Sequence, residues 1–282
     1  MTKIDKTKYS KEEYRRLKSE QKANKRALKA GTKIAEPVVV QTPQLDTDQI
    51  YILCVKHGTK YSADYVNRLY NMVSRHCHLS FKFCCLTDDN RDINPNIQII
   101  PLPKFLQGWW CKPYIFSNLP IKGTILYLDL DVVISDNIDR LFFYSPENWC
   151  IIRDFTRQMR PDWQKYNSSV IRFKTGQLER LWNDYSTNWK QVQSRFFGDQ
   201  DWLYDASTKA GMPGTLFPDN WVRSWKWEIR HSKEFEPGRA KGNRIFKTIE
   251  HVEPPKECVI TVFHGDPNPH NCQDPWVVRN WK

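Results

Sequence analysis

Two aspartates at the end of an apolar segment have the clearest potential for chemistry. Residues 124–128 (TILYL) predict a buried strand, and Asp129 and Asp131 follow it directly. Carboxylates two positions apart on an extended chain point to the same side, and an unpaired buried charge is costly. A divalent cation such as Mn²⁺ or Mg²⁺ would satisfy both side chains. A pair of turn or helix N-cap residues is the other interpretation of this spacing.

Further polar residues stand at the ends of other predicted elements. His264 closes an apolar strand predicted for 259–264, and a neutral imidazole with two carboxylates is a suitable Mn²⁺ ligand set. The segment Asp199-Gln200-Asp201 begins a predicted helix, where Asp199 could also serve only as an N-cap. These residues could act together only if the fold brings the ends of their strands and helices close together.

The elements that must position these residues alternate between strands and helices. Apolar patterning predicts strands at 49–55, 79–86, 97–100, 124–128, 150–153, 169–173 and 259–264, and helices at 63–75, 109–119, 177–189 and 200–210. Single helices between strands indicate an α/β protein with a mostly parallel sheet covered on both faces. Ligands of such sheets bind beyond the carboxyl ends of the strands, which is where the two aspartates stand.

Charge divides the chain into two parts. The net charge of the 282 residues is +11, and residues 1–36 hold twelve Lys/Arg against five Asp/Glu, which is 12 − 5 = +7. We predict a basic N-terminal extension over 1–47, helical over 11–30 or disordered, and one domain over 48–282. Such an extension can contact nucleic acid or an anionic membrane surface, or it can simply be solvated.

Composition excludes several classes of protein. No stretch approaches the ~20 apolar residues of a membrane span, and no apolar run follows the Lys-rich start, so we expect neither a transmembrane segment nor a secretory signal. Eight Cys in 282 residues are far fewer than the about 8–10% of a disulfide scaffold. We therefore expect reduced thiols and a cytoplasmic location.

With these motifs in order, the chain resembles the GT-A glycosyltransferases, most of all retaining enzymes of the glycogenin type and their bacterial and phage relatives. The resemblance covers about residues 48–270 and is carried by the segments 108–116 (GWWCKPYIF), 123–134 (GTILYLDLDVVI), 166–170 (YNSSV), 199–201 (DQD) and 262–269 (VFHGDPNP). Two positions depart from the family pattern: Ser169 replaces a usual Gly, and Asn268 replaces a usual Lys. The resemblance implies a Rossmann-like, nucleotide-sugar-binding mixed sheet with an abutting acceptor region.

The resemblance also implies a metal site and a sugar pocket. Asp129 and Asp131 with His264 would hold Mn²⁺, or Mg²⁺, on the diphosphate of a UDP-sugar, with Asp129 also near the ribose. Asn167 would contact the sugar or the acceptor. The segment Asp199-Gln200-Asp201 would line the sugar pocket and supply the catalytic groups.

The remaining residues implied by the resemblance would bind the donor. The exit of the first strand would cradle the uridine with Lys56, Lys60 and Tyr61, whose ring could stack on uracil. Lys112 would lie by the nucleotide and could replace the cation missing at Asn268. Asp154 is a candidate acceptor for a sugar hydroxyl, and Gly265 belongs to the same donor site.

The resemblance therefore implies transfer of a hexose from a UDP-sugar to an acceptor hydroxyl, with retention. Front-face attack and double displacement on a carboxylate both stay open as mechanisms. Three Trp at 221, 225 and 227 could pack a sugar acceptor or equally stack nucleic-acid bases. We expect the acceptor to be a glycan or small molecule, because a basic extension alone is a common feature of soluble chains. The alternatives are a phage-type enzyme that modifies hydroxymethylated DNA bases, and a non-catalytic nucleotide-sugar binder.

The DNA alternative predicts a salt-dependent role for the basic extension. If the extension contacts DNA, deletion of residues 1–36 should flatten the salt dependence of duplex binding, since each neutralised phosphate adds roughly −0.9 to the log–log slope. Donor hydrolysis should be unchanged. Filter binding across a salt series measures the slope, and an unchanged slope would contradict a role for the extension in DNA binding.

Overall fold

The computed structural model of the chain describes residues 49–236, 245–248 and 252–282. The predicted basic extension over 1–47, with its predicted helix at 11–30, lies outside the described residues. The boundary at residue 48 therefore stays a prediction.

Twelve strands and five α-helices are described within those ranges. The strands are β1 Ile50–Lys56, β2 Phe81–Thr87, β3 Gln98–Pro101, β4 Thr124–Leu128, β5 Val132–Ile134, β6 Cys150–Arg153, β7 Tyr166–Lys174, β8 Thr215–Leu216, β9 Val222–Ser224, β10 His231–Glu236, β11 Ile245–Thr248 and β12 Ile260–Val262. The α-helices are α1 Ala63–His76, α2 Arg140–Phe143, α3 Glu179–Arg195, α4 Asp199–Lys209 and α5 Pro275–Asn280.

The main sheet has seven strands in the order β3-β2-β1-β4-β7-β6-β8. Its pairs are parallel except at β7, which runs antiparallel to both β4 and β6. The predicted α/β architecture with a mostly parallel, mixed sheet is confirmed. Strands β5, β12 and β9 form a second, three-stranded sheet, so the predicted strand at 259–264 lies there and spans only Ile260–Val262.

The central strands β1 and β4 are mostly apolar along their length because both of their faces are covered. Along β1, Ile50 and Ile52 pack into one core, which also holds Val66 of α1. The alternate residues, Tyr51 and Leu53, pack into a second core on the opposite face with helix α3. The strand β4 lies between these two cores and ends at Leu128. Asp129 and Asp131 therefore stand at the edge of the sheet, between the two layers.

The segment predicted as a helix over 109–119 is instead a 3₁₀-helix, Gly108–Phe116. Pro113 lies inside it. Proline has no N–H to donate to the carbonyl four residues earlier, and its ring clashes with that carbonyl, so an α-helix is disfavoured there. The tighter winding presents Lys112 towards the end of β4, where its ammonium group contacts Asp129.

All eight cysteines lie within the described residues, and all are buried and unpaired. Burial raises the pKa of several of them, including Cys77 and Cys111, to about 12. These thiols are protonated and inert near neutral pH, since the thiolate is the reactive form.

Gly123 allows the close approach of β4 to the start of β1. A Cβ atom at this position would lie 1.9 Å from the backbone oxygen of Gln49. We expect Gly123→Ala to lower the free energy of unfolding by about 2–4 kcal/mol, because the backbone must shift. Chemical denaturation measures the loss.

Gly176→Ala is the matched control for this substitution. Gly176 also has a positive φ, +82°, but a Cβ atom there would meet nothing within 4 Å. Only the left-handed backbone then opposes the change, at about 1–2 kcal/mol. Equal losses in the two variants would contradict the close-approach explanation.

Candidate functional site

A cleft of about 430 Å³ opens at the carboxyl ends of β1 and β4. Such an edge is where open α/β sheets bind ligands. Residues from both strands, the loop after β1 and the 3₁₀-helix line it: Val55, His57, Lys60, Tyr61, Gly108, Trp109, Lys112, Tyr127, Asp129, Leu130 and Asp131. The predicted residues Lys60, Tyr61, Lys112, Asp129 and Asp131 thus share one cavity.

Lys112 connects the main polar groups of this cleft. Its Nζ lies 2.9 Å from Asp129 Oδ1 and 3.5 Å from Asp199 Oδ2, and it donates to Ser168 Oγ at 2.9 Å. Burial opposes the charge of Lys112, but the carboxylates of Asp129 and Asp199 outweigh it and raise the pKa of Lys112. The lysine is therefore a fixed cation between two carboxylates.

Asp129 and Asp199 are held in place by neighbouring hydroxyl groups. Tyr127 OH donates to Asp129 Oδ1 at 2.5 Å, and Ser168 Oγ donates to Asp199 Oδ2 at 2.6 Å. The antiparallel pairing of β4 with β7 brings Ser168 to this point, and Asp129 N donates to Ser169 O at 2.9 Å. The side chains of Tyr127, Asp129, Ser168 and Asp199 are rigidly arranged because each has at least one polar partner.

Asp131 has no comparable cation among the described residues. Tyr61 OH donates to Asp131 Oδ2 at 2.9 Å, and Phe263 N donates to its backbone oxygen at 2.9 Å. Burial and the charge of Asp129 raise the pKa of Asp131 from 3.8 to about 7, although Tyr61 and Lys112 act in the opposite direction. The carboxylate pair therefore carries more negative charge than its described surroundings neutralise.

A second cavity of about 190 Å³ lies beside Gln200. The residues lining it come from distant parts of the chain: Asp154, Phe155, Thr156, Asn167, Gln200, Trp227 and His264. Gln200 Nε2 donates to Asp154 Oδ2 at 3.5 Å, and Asn167 Nδ2 donates to Gln200 Oε1 at 3.4 Å. The other oxygen of Asp154 accepts from Thr156 N at 2.9 Å, so the carboxylate is oriented towards the cavity by its own loop.

Aromatic rings form the wall of this second cavity around His264. The imidazole is stacked on Phe155 with 5.3 Å between ring centroids and meets Trp227 edge-on at 5.7 Å. Its Nε2 is 2.6 Å from Ser224 Oγ. Burial, with the nearby charge of Lys226, lowers the pKa of His264 to about 4, so the ring is neutral near neutral pH.

The predicted metal ligands meet only part of what a divalent cation needs. Asp129 and Asp131 offer carboxylate oxygens, and burial, with the charge of Asp129, raises the pKa of Asp131, which a bound cation would lower again. His264 lines the other cavity, and one of its nitrogens is already hydrogen-bonded to Ser224. Among the residues that the structure describes, no three His, Cys, Asp or Glu side chains are grouped closely enough to hold a metal. The three-residue ligand set therefore stays a prediction.

Three other predicted site residues line neither of the two cavities. Lys56 Nζ donates to the backbone oxygen of Asp89 at 3.3 Å, and Lys56 does not line the cleft. Asp201 lies on α4 but lines neither cavity, in contrast to Gln200. Gly265 has φ +90°, and a Cβ there would come within 3.9 Å of Lys226 Nζ. The roles of these three residues stay predictions.

The segment with three Trp contributes less to the site than its composition indicates. Trp225 is buried in the core, and Trp221 packs edge-on against Tyr144 and under the guanidinium of Arg140. Only Trp227 among them lines the second cavity. The spacing along the chain does not reveal this, because the residues lie on a strand end and a π-helical turn that point them in different directions.

Several residues of the site were missed by sequence reasoning. Tyr127 stands two positions before Asp129 on β4, and the alternation of an extended chain could have indicated that both reach the same side. Ser168, His57 and Trp109 carry no such local signal. They reach the site through strand pairing and loop packing between distant parts of the chain.

Comparison with solved structures shows which fold this is. No family model and no curated protein matches the chain. The galactosyltransferase LgtC, solved with donor and acceptor sugar analogs, is 15% identical, with a TM-score of 0.53, 81% of this chain covered and 93% of that chain. An active-site mutant of LgtC gives a TM-score of 0.54 at 14% identity, with the same coverage of both chains.

A third solved structure is also similar to this chain. WbbM, a bifunctional glycosyltransferase, gives a TM-score of 0.51 at 10% identity, with 84% of this chain covered. The chain spans about half of WbbM, 52% of its length. At these identities the likeness shows the fold, and the chain has the GT-A glycosyltransferase fold that its sequence predicts.

The raised pKa of Asp131 makes stability depend on pH. The folded protein keeps a proton that the unfolded chain releases, so stability is greatest below about pH 4 for this group and is lost as pH rises towards about 7. In metal-free buffer, Asp131→Asn should therefore raise the free energy of unfolding at about pH 8.5 by about 1–3 kcal/mol. At about pH 3 the two proteins should be similar, because Asp131 is then largely neutral in both states.

Denaturation at the two pH values measures the difference between the proteins. Asp136→Asn, a change to an exposed carboxylate, is the control. An Asp131→Asn protein that is no more stable than wild type above the pKa would contradict the assignment of an uncompensated charge.

Proposed function

We propose that this protein is a metal-dependent glycosyltransferase of the retaining, glycogenin-like type, which moves a hexose from a UDP-sugar to an acceptor hydroxyl. The observation that carries the proposal is the contact of Lys112 with both Asp129 and Asp199, between a donor-sized cleft and a second polar cavity. The GT-A fold supports it, since LgtC, with the same fold, was solved with donor and acceptor sugar analogs.

The larger cleft suits a nucleoside diphosphate. Val55, Tyr61 and Trp109 provide apolar and aromatic surface for a base, while Lys60 and Lys112 provide cations for phosphates. Lys60 Nζ lies 4.7 Å from the centre of the Tyr61 ring, so base and phosphate contacts would be adjacent. Few polar groups in a mainly apolar pocket are typical of a small-molecule site.

Negative charge grows on the diphosphate when the glycosidic bond breaks, and the transition state of the sugar is oxocarbenium-like. A preorganised cation stabilises that charge without reorganising during the reaction. Lys112 is such a cation, because two carboxylates and a serine hydroxyl hold it in place. It would thereby supply the charge that the family pattern places at the position of Asn268.

Asp129 and Asp131 are the residues that would hold Mn²⁺ or Mg²⁺. When bound, the cation would neutralise the carboxylate pair and stabilise negative charge on the diphosphate. The raised pKa of Asp131 supports this role, since burial and the charge of Asp129 are its largest causes. His264 would join the set only if it gave up its hydrogen bond to Ser224.

The second cavity suits the hydroxyl groups of a sugar. Asp154, Asn167 and Gln200 offer acceptors and donors in one connected network, and Trp227 offers aromatic surface for sugar C–H groups. A carboxylate with two carboxamides and no Lys or Arg among the lining residues favours a neutral saccharide over a phosphate backbone. We therefore propose a glycan or small-molecule acceptor.

The polar network also bears on the mechanism. Asp199 Oδ2 is occupied by both Ser168 and Lys112, and Asp201 lines neither cavity. This favours a positioning role for Asp199 and supports front-face attack assisted by the donor phosphate over a carboxylate nucleophile. Gln200, which lines the second cavity, would position the sugar.

No feature in the described part of the chain favours transfer to DNA. That alternative depends on the basic extension, which lies outside it.

Lys112→Ala should lower kcat for UDP release by the order of 10²-fold, the typical loss of one charge-stabilising group. UDP release from a panel of UDP-sugars measures the effect. Lys122→Ala is the control, because Lys122 is exposed just before β4 at the opposite end of the strand. A change of less than about twofold in the Lys112 variant would show that another group supplies the charge.

Metal binding can be tested without activity. Mn²⁺ at about 100 times its Kd should stabilise the wild-type protein by about 2.7 kcal/mol, and Asp131→Asn should abolish most of that gain. Asp136→Asn should retain it. Thermal denaturation with and without Mn²⁺ measures both, and an equal shift in all three proteins would contradict the role of Asp131.

A further inference from the structure

Three of the most exposed hydrophobic side chains belong to two pairs of aromatic rings on neighbouring elements. In the described ranges, the large hydrophobic residues that are exposed are Phe105 at 42%, Trp109 at 57%, Phe197 at 89% and Val278 at 59%. Phe105 contacts Trp189 with 5.8 Å between ring centroids, and Trp109 stacks on Phe197 at 6.4 Å. We call Phe105, Trp109, Trp189 and Phe197 the aromatic patch.

Two packed elements hold the aromatic patch in place. Trp109 belongs to the 3₁₀-helix, whose Trp110 stacks on Tyr185 of α3 with 6.0 Å between ring centroids. Trp189 lies on the same helix α3, and Phe197 follows its end. The patch is therefore a built surface and not the tip of a single loop.

The two stretches of chain that supply the aromatic patch carry charge of one sign. Its residues come from two stretches without any Asp or Glu, 93–128 and 185–198. Lys104, Lys190 and Arg195 are exposed within them, and Lys190 Nζ lies 5.4 Å from the centre of the Trp189 ring. Exposed rings bordered by cations, on stretches free of carboxylates, match the chemistry of an anionic lipid surface.

We propose that the aromatic patch docks this protein on the surface of anionic phospholipid membranes. The rings of Phe105 and Phe197 enter the headgroup region, Trp109 stays at the edge of the cleft beside them, and the three cations contact lipid phosphates. The attachment is peripheral: among the described residues no helix has the length and apolar character to cross a bilayer. This role goes beyond sugar transfer and does not depend on it.

Docking through the aromatic patch would fix how the cleft is oriented relative to the membrane. Trp109 belongs to both the patch and the lining of the larger cavity. Phe197 stands two residues before Asp199. The mouth of the cleft would therefore face the membrane, which favours acceptors held at that surface.

Vesicle flotation of the full chain tests the proposal. Wild-type protein should float with vesicles containing about 30% phosphatidylglycerol in phosphatidylcholine, and weakly with phosphatidylcholine alone. The double variant Phe105→Ser/Phe197→Ser should bind the anionic vesicles about tenfold or more weakly. Val278→Ser is the matched control, because Val278 is similarly exposed but lies on α5, outside the patch, and it should bind as wild type does.

A charge series tests the second part of the surface. Lys104→Glu/Lys190→Glu/Arg195→Glu should weaken binding to the anionic vesicles by about tenfold or more, while Lys122→Glu should have little effect. Unchanged melting temperatures would show that the variants fold.

Two results would overturn the proposal. The first is wild-type binding by the double Ser variant, which would place membrane attachment elsewhere in the chain, including the basic extension. The second is self-association of the wild-type chain that the double variant abolishes, with no vesicle binding, which would make the patch a contact between copies of this protein.

Discussion

The arrangement of the site depends on one lysine that neutralises two carboxylates, the buried Asp199 and the half-buried Asp129. Asp129 and Asp199 come from distant parts of the chain, and Lys112 satisfies both of them. Burying either carboxylate without that cation would be costly. Asp131 is the carboxylate of this cleft that Lys112 leaves uncompensated, and its raised pKa marks the point where a bound cation would be most stabilising.

The reversal of one strand makes this arrangement possible. Because β7 runs antiparallel to β4, its first residues, not its last, lie at the edge where β4 ends. That places Asn167 and Ser168 beside Asp129 and Asp199, where Ser168 donates to Asp199 and Asn167 to Gln200. The mixed sheet thus creates two adjoining cavities, one with cations and aromatic rings and one with amides and a carboxylate.

Much of the fold follows from local patterns in the sequence. The strands β4 and β6 have their predicted bounds, and helix α1 extends only one residue beyond its prediction, because apolar periodicity and double burial leave few alternatives. The position of Asp129 and Asp131 at a strand end also followed from the sequence. Pro113 was the local signal against the predicted α-helix, although a proline does not by itself specify a 3₁₀-helix.

Tertiary structure decided which side chains meet. Asp-x-Asp spacing places two carboxylates on one side of a strand, but only the packing of the 3₁₀-helix brings Lys112 to one of them. Similarly, three Trp in one segment look equivalent in sequence, whereas burial separates Trp225 in the core from Trp227 in the cavity. The physical reason is that secondary structure depends on neighbouring residues, while charge pairing and burial depend on contacts between segments that are far apart along the chain.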